Sequence, residues 1–438
     1  MRIFEAGDTG PSGHGQVFRG HVKHMLDREV ELTVRTHQWG WNPQGFIIDR
    51  PFTDSRFKNA VITSDRFNED YYVADVEEAR KRPDDLTRNL GTNTTVRSKD
   101  CPIRDFTGRE DVWHAIGGME WVPMAPDRKD VFTVMETDYN LNHVPQQWVR
   151  WAKNVDEVWV PNQWVYDAFK SAGYTDNIEI VPYGVDFSYR PTDYDCGSCP
   201  ANKHTQPPGG GNCLRDDKFT FFSVARWYHI KGVDVLLEAF LREFSGDENV
   251  RLFLKTTSNN QFQLDGGGVG QAVKKLTNQL DIDNPPEIGL RTEMMDDQHL
   301  MDLYGLADCF AFPSRAECVG ISWIQAMHAG TPVVTTNWSA MEEYIDSDEA
   351  VLVDEGEAKH PESRVEWLPR KGGEWYPEEA EWFEPDIEAV QRALRKVYEM
   401  DGDERAKIAE RGQKMVHETF DWKEHIETRT ERFREGME

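Results

Sequence analysis

Short apolar runs separated by helix-like stretches recur in two series along this chain, and that alternation most constrains its fold. In the first series "RIFEA", "VELTVRT", "VFTVME", "EVWVP" and "IEIVPYG" read as strands, and "GQVFRGHVKHML" has helical spacing. Strands this apolar are covered on both faces, so strand and helix in alternation predict a parallel sheet. A second series begins at "KFTFFSVAR". There "VRLFLKTT", "DCFAFPS", "TPVVTT" and "AVLVD" are strands, while "VDVLLEAFLREF", "QHLMDLYGLA" and "WIQAMHAG" are helices. The 438 residues exceed the ~250–300 that one core usually supports, so two doubly wound α/β domains in tandem are expected.

The boundaries follow from breaks in the pattern. Residues 1–187 form the first domain. Residues 188–217 are polar, with "CGSCPANKHTQPPGGGNC" at their centre, and read as a linker insertion. Residues 218–417 form the second domain, interrupted at about 355–384 by an irregular segment rich in Glu, Pro and Trp. A polar-faced helix from about 418 to 438 closes the chain.

Charge excludes some functions. With 78 acidic and 50 basic residues the formal net charge is -28, which repels nucleic acid and anionic lipid. The first residues, "MRIFEAGDTGPSGHG", lack the apolar core of a secretory signal, and no apolar run approaches the ~20 residues of a membrane span, so the reading places the chain in the cytoplasm. Six cysteines make no disulfide framework, but Cys196, Cys199, His204 and Cys213 together are a candidate structural zinc set. Three unrelated thiols in a loop is the alternative reading.

In open parallel sheets, ligands bind beyond the carboxyl ends of strands. Arg226 and Lys231 follow "FTFFSVA", just before a helix that opens at Gly232. Two cations beside a helix N-terminus suit a diphosphate. Lys255, ending the next strand, faces the same way. After "DCFAFPS" come Glu317 and then Gly320, where the backbone can approach a ligand closely. The amides of Ile321 and Ser322 then point at an anion. Glu317 would repel phosphate and suits sugar hydroxyls. Gln325, further along that helix, suits a pair of ribose hydroxyls.

These pieces, in this order, resemble the retaining glycosyltransferases of the GT-B fold, particularly glycosyltransferase family four. "ARWYHIKG", "LADCFAFPSRAECVGISWIQAMHAGTPVVTT", "VDEVWVPNQWVYDAFKSAG", "IVPYGVDF", "GDTGPSGHG" and "WFEPDIEAVQRALRKVYE" carry the resemblance. It implies two Rossmann-like domains facing each other across a cleft, the first for the acceptor and the second for a nucleotide-sugar donor, with the tail helix crossing back to the first. Arg226 and Lys231 would hold the donor diphosphate and Glu317 the transferred sugar. Gly13, Gly15, Lys255, Gly320, Ile321, Ser322 and Gln325 would complete donor binding. Gln325 stands where members usually carry Glu, at the end of a Glu-x7-Glu interval.

On the acceptor side the candidates are His14, Glu136 and Asp138, the last also readable as a helix cap. Many members place a His near Glu136, so that His role does not carry over. The Asp-x-Asp strings at Asp193 and Asp281 lie in a linker and a loop, and no catalytic metal is expected. Two alternatives stay open: an epimerase or phosphorylase on the same fold, and a non-catalytic nucleotide-sugar-binding protein.

Overall fold

The computed structural model describes residues 1–8, 13–25, 28, 31–37, 62–65, 111–119, 122, 125–126, 129–192, 217–257, 268–292, 295, 297–361 and 376–438. The chain divides into two compact units. One comprises Met1–Asp186, Lys371–Pro377 and Phe420–Glu438; the other comprises Phe187–Arg370 and Glu378–Thr419.

The first unit holds a seven-stranded sheet in the order β3-β2-β1-β4-β5-β6-β7. Its strands are β1 (Arg2–Asp8), β2 (Glu31–His37), β3 (Ile62–Asp65), β4 (Val112–Ile116), β5 (Phe132–Glu136), β6 (Glu157–Val160) and β7 (Ile178–Ile180). Every pairing is parallel. Helices α1 (Gly13–Met25), α2 (Gln146–Ala152) and α3 (Gln163–Ser171) connect them. Asn162 caps α3 by accepting from the Val165 amide at 3.1 Å. β3 and β4 were not legible as strands in the sequence. β4 reads "VWHAI", and the ionisable His114 interrupts its apolar run although all five residues are buried.

The second unit holds a six-stranded sheet in the order β10-β9-β8-β11-β12-β13. Its strands are β8 (Phe219–Arg226), β9 (Val250–Thr257), β10 (Glu287–Arg291), β11 (Cys309–Phe312), β12 (Val333–Thr336) and β13 (Val351–Val353). The helices are α4 (Val233–Glu243), α5 (Gly268–Gln279), α6 (Asp297–Leu306), α7 (Ile321–His328), α8 (Ala340–Tyr344), α9 (Ile387–Glu399) and α10 (Gly402–Phe420). On one face α4 and α9 bury Leu236, Leu237, Phe240, Val390 and Leu394 against Phe221, Leu252, Leu254 and Val334. Each such side chain contributes roughly 1.5–3 kcal/mol. The sheet is thereby a packed floor beneath the loops at its carboxyl edge.

Two expectations need correction. The linker was expected to run from 188, but Thr192 is bonded through its amide to Asp302 on α6 at 2.9 Å, so its first residues belong to the second unit. The remaining linker residues, 193–216, including the candidate zinc ligands and Asp193, lie outside the described residues. The insertion at about 355–384 was expected to be irregular throughout. Its ends instead pair as an antiparallel ribbon of β14 (Gly356–Lys359) and β15 (Trp382–Pro385).

The last helix, α11 (Trp422–Gly436), belongs to the first unit and packs on α1. Gly20 of α1 lies so close to it that any Cβ would strike the Trp422 indole. Asp421 caps α11 by accepting from the Lys423 amide at 3.0 Å. No helix of the described residues is long and apolar enough to cross a membrane.

Candidate active site

In each sheet the strand order reverses between neighbours, β1 and β4 in the first unit and β8 and β11 in the second. Ligands of such sheets gather at this reversal. In the second unit two loops meet there. The loop after β8 forms a single 3-10 turn, His229–Lys231, and reaches Gly232 at φ 64°. A side chain at Gly232 would be strained and would collide with the Pro313 carbonyl oxygen of the other loop. The loop after β11 runs to Gly320, φ 81°, which opens α7.

Lys231 Nζ donates to Glu317 Oε1 at 2.6 Å, joining the two loops. The Lys231 side chain is 26% exposed and that of Glu317 only 4%. Glu317 is also fixed through its backbone: its amide donates to Ser339 Oγ at 2.9 Å and its carbonyl accepts from the Ala340 amide at 3.2 Å. Ser339 adopts φ 62°, ψ -138°, a conformation costly for a non-glycine residue.

One residue here escaped sequence reasoning. Arg315, 5% exposed, uses all five guanidinium hydrogens. Nη1 and Nη2 donate to Asp234 Oδ1 and Oδ2, each at 2.9 Å. Nε and Nη2 donate to Glu384 Oε2 and Oε1 at 2.8 and 2.6 Å, and Nη1 donates to the His229 carbonyl at 2.5 Å. Its amide donates to the Ile230 carbonyl at 2.8 Å, and its carbonyl accepts from the Phe383 amide at 2.9 Å. Burial alone would raise the Asp234 carboxyl, but the His229 hydrogen bond and the Arg315 charge hold it well below the usual range. The signal in the sequence was faint: a lone Arg in "SRAE", with partners far away in the chain.

The other predicted residues fall as follows. Arg226 ends β8 and is partly exposed. Lys255 is buried on β9, in register with Val224 on one side and Arg291 on the other. Ile321 and Ser322 form the first turn of α7, and Gln325 is partly exposed further along it. Asp281, at φ 50°, sits in the turn after α5. Gly13, His14 and Gly15 form the first turn of helix α1 in the first unit.

The reversal point of the first unit is built differently. Glu5 on β1 and His114 on β4 are register partners. His114 Nδ1 donates to Glu5 Oε2 at 2.6 Å, and its Nε2 donates to Glu136 Oε2 at 2.9 Å. Arg429 of α11 forks onto both Glu136 oxygens, each at 2.5 Å. His21 of α1 lies 3.0 Å from Glu5 Oε1. All five side chains are 0% exposed. Burial works against every charge here, yet the facing cations hold Glu5 and Glu136 down at about 2, and the two carboxylates raise His114 to about 9. Burial lowers His21, so it is neutral. Two carboxylates thus balance one imidazolium and one guanidinium. Glu5, His21 and His114 present ligand atoms within 4.8 Å of one another. The protonated His114 has no lone pair to give a cation, because both ring nitrogens serve the carboxylates.

This corrects one expectation. Glu136 is a sealed structural anion and offers no face to an acceptor. Asp138, two residues on, is partly exposed and accepts from Tyr183 Oη at 3.5 Å; it caps no helix, since Pro145 stands at the N-cap of α2.

Residues 212–374 match the profile of the family described as glycosyl transferases group 1. The matched stretch contains Arg226, Lys231, Lys255, Arg315, Glu317, Gly320 and Gln325. A curated relative, the alpha-monoglucosyldiacylglycerol synthase of Acholeplasma laidlawii, is 23% identical over 186 residues; the match spans 42% of this chain and 42% of that protein. Among solved structures, HepE of Anabaena in complex with UDP and glucose matches with a TM-score of 0.63 at 15% identity, covering 99% of this chain and 100% of that one. The sucrose-phosphate synthase of Thermosynechococcus elongatus gives 0.65 at 13% identity, covering 99% and 98%. These likenesses show the GT-B fold class, with two Rossmann-like units.

Proposed function

We propose that the protein is a retaining glycosyltransferase that moves a sugar from a nucleoside-diphosphate sugar to a hydroxyl acceptor. The observation that carries this reading is the Lys231–Glu317 pair at the strand-order reversal of the second unit, beside the N-termini of α4 and α7. UDP complexes of structural neighbours such as HepE support the same donor class.

In the proposed reaction a nucleoside diphosphate departs while positive charge grows on the anomeric carbon. Arg226 and Lys231 offset the charge on the leaving diphosphate, joined by the first-turn amides of α7 at Ile321 and Ser322. Lys231 has three donors, so bonding Glu317 leaves it capacity for phosphate. Glu317 contacts the sugar hydroxyls and keeps the pocket from over-accumulating positive charge. The acceptor attacks the face from which the diphosphate leaves, and a phosphate oxygen takes the acceptor proton, which retains the anomeric configuration. Gln325 holds the ribose hydroxyls by hydrogen bonding alone. Lys255 borders the diphosphate. Gly13 and Gly15 are proposed for donor binding, and His14 and Asp138 for the acceptor.

Calorimetric titration with UDP, ADP and GDP, followed by their sugars, tests the reading. At least one diphosphate should bind, and Arg226→Ala or Lys231→Ala should weaken it by roughly tenfold or more, the order of one charge-assisted contact. Unchanged affinity in both variants sinks the donor site. Turnover of the donor without an acceptor, giving an isomerised sugar, would favour an epimerase. The anomeric proton coupling of the product, read by NMR, tests retention.

A further inference from the structure

We propose that Arg315 is a positioning residue that sets the Lys231–Glu317 pair, and that the β14–β15 ribbon acts on the donor loops through it. This rests on the donor reading above. Arg315 lies two residues before Glu317, and Asp234 lies three after Lys231. Its fork onto Asp234 and its bonds to the His229 and Ile230 carbonyls fasten the loop after β11 to the turn that presents Lys231. The second fork, onto Glu384, fastens both to β15, and the guanidinium also stacks 5.4 Å from the centre of the Trp382 ring. Three segments that are remote in sequence thus converge on one buried cation, which touches neither proposed donor contact itself.

The geometry discriminates by shape, not charge. Five hydrogens in a planar fork meet five acceptors, and a lysine ammonium, with three donors and no fork, cannot reproduce that set. Any loosening is therefore confined to the loops that Arg315 joins, since the α4 and α9 core beneath them is intact without it.

The test uses the full chain. Hydrogen exchange by mass spectrometry, without ligand, is compared between wild type, Arg315→Lys and Glu384→Gln. In Arg315→Lys, residues 229–233 and 315–321 should exchange roughly tenfold faster, with the strands of the second unit unchanged. Glu384→Gln should loosen the same segments less. Unaltered exchange there, or acceleration spread evenly over the unit, overturns the proposal.

Titration with the diphosphate that wild type binds supplies the second readout. Arg315→Lys should lose affinity. Because it acts in large part through Lys231, combining it with Lys231→Ala should cost less than the sum of the two separate losses. Additive losses, or full affinity in a loosened Arg315→Lys chain, also overturn it. If wild type binds no nucleoside diphosphate while the two segments still loosen selectively, the donor reading fails and the clamp itself stands.

Discussion

The two units share a sheet order around their reversal points and put opposite kinds of charge cluster there. In the first unit Glu5, His114, Glu136 and Arg429 are sealed from water and balance to zero. In the second, Lys231 and Glu317 sit at the edge of the sheet, with Lys231 partly open to solvent. Burial decides the difference. The charges of the first cluster, withdrawn from water, are matched by partners inside the protein and leave none over for a ligand. A charge at a loop edge keeps its capacity to bind. The same topology yields a structural staple in one unit and the proposed binding site in the other.

The comparison predicts a graded set of effects. Arg429→Ala leaves Glu136 buried without its main cation and should destabilise the chain by about 3–5 kcal/mol, read from urea denaturation. A loss under about 1 kcal/mol would show that water reaches the cluster and break the contrast.

The buried cluster should also make stability depend on pH. Glu5 and Glu136, held at about 2, contribute stability that is present above about 4.5 and lost as pH falls toward 2. His114, raised to about 9, contributes stability that is full below about 6.5 and lost as pH climbs through 9. Buried His21, kept neutral, adds a loss as pH falls below about 6.5, so denaturation midpoints should peak near 6.5 and fall on both sides. Replacing His114 with Gln should remove the alkaline fall, because a neutral amide has nothing to titrate there. A flat profile in the wild type would contradict the charge assignment.

Lys231→Ala should act chiefly on binding, with a stability loss smaller than that of Arg429→Ala, because solvent can replace a partly exposed lysine. An equal stability loss in the two variants would erase the distinction between staple and site. The smallest effect belongs to Gln325→Glu. A charged acceptor for ribose hydroxyls should tighten nucleotide binding by a few-fold, about 1 kcal/mol, without altering discrimination between sugars. Unchanged affinity removes Gln325 from the site.

Much of the second unit was readable from sequence, because its strands are near-continuous apolar runs and its loops carry Gly232 and Gly320 where backbone geometry demands them. Local pattern and local conformation agree there. The first unit hides its central strand, since an ionisable residue in "VWHAI" looks like a solvent-facing break until Glu5 and Glu136 are seen on either side. Glu136 looked available for the same reason: its partner Arg429 lies 293 positions away. Arg315 was obscured likewise by distance, with Asp234 81 and Glu384 69 positions off. Periodicity reports burial of apolar side chains, and it is silent on charges that are buried in pairs.

The position of Arg429 near the end of the chain also bears on how the molecule is made. Domains generally fold from the N-terminus onward as the polypeptide is synthesised. Here the cation that neutralises Glu136 belongs to residues 420–438, translated after every residue of the second unit. The unit begun first is completed last, and a ribosome that stalls before residue 429 would release a chain whose first sheet carries an acid with no guanidinium to meet it.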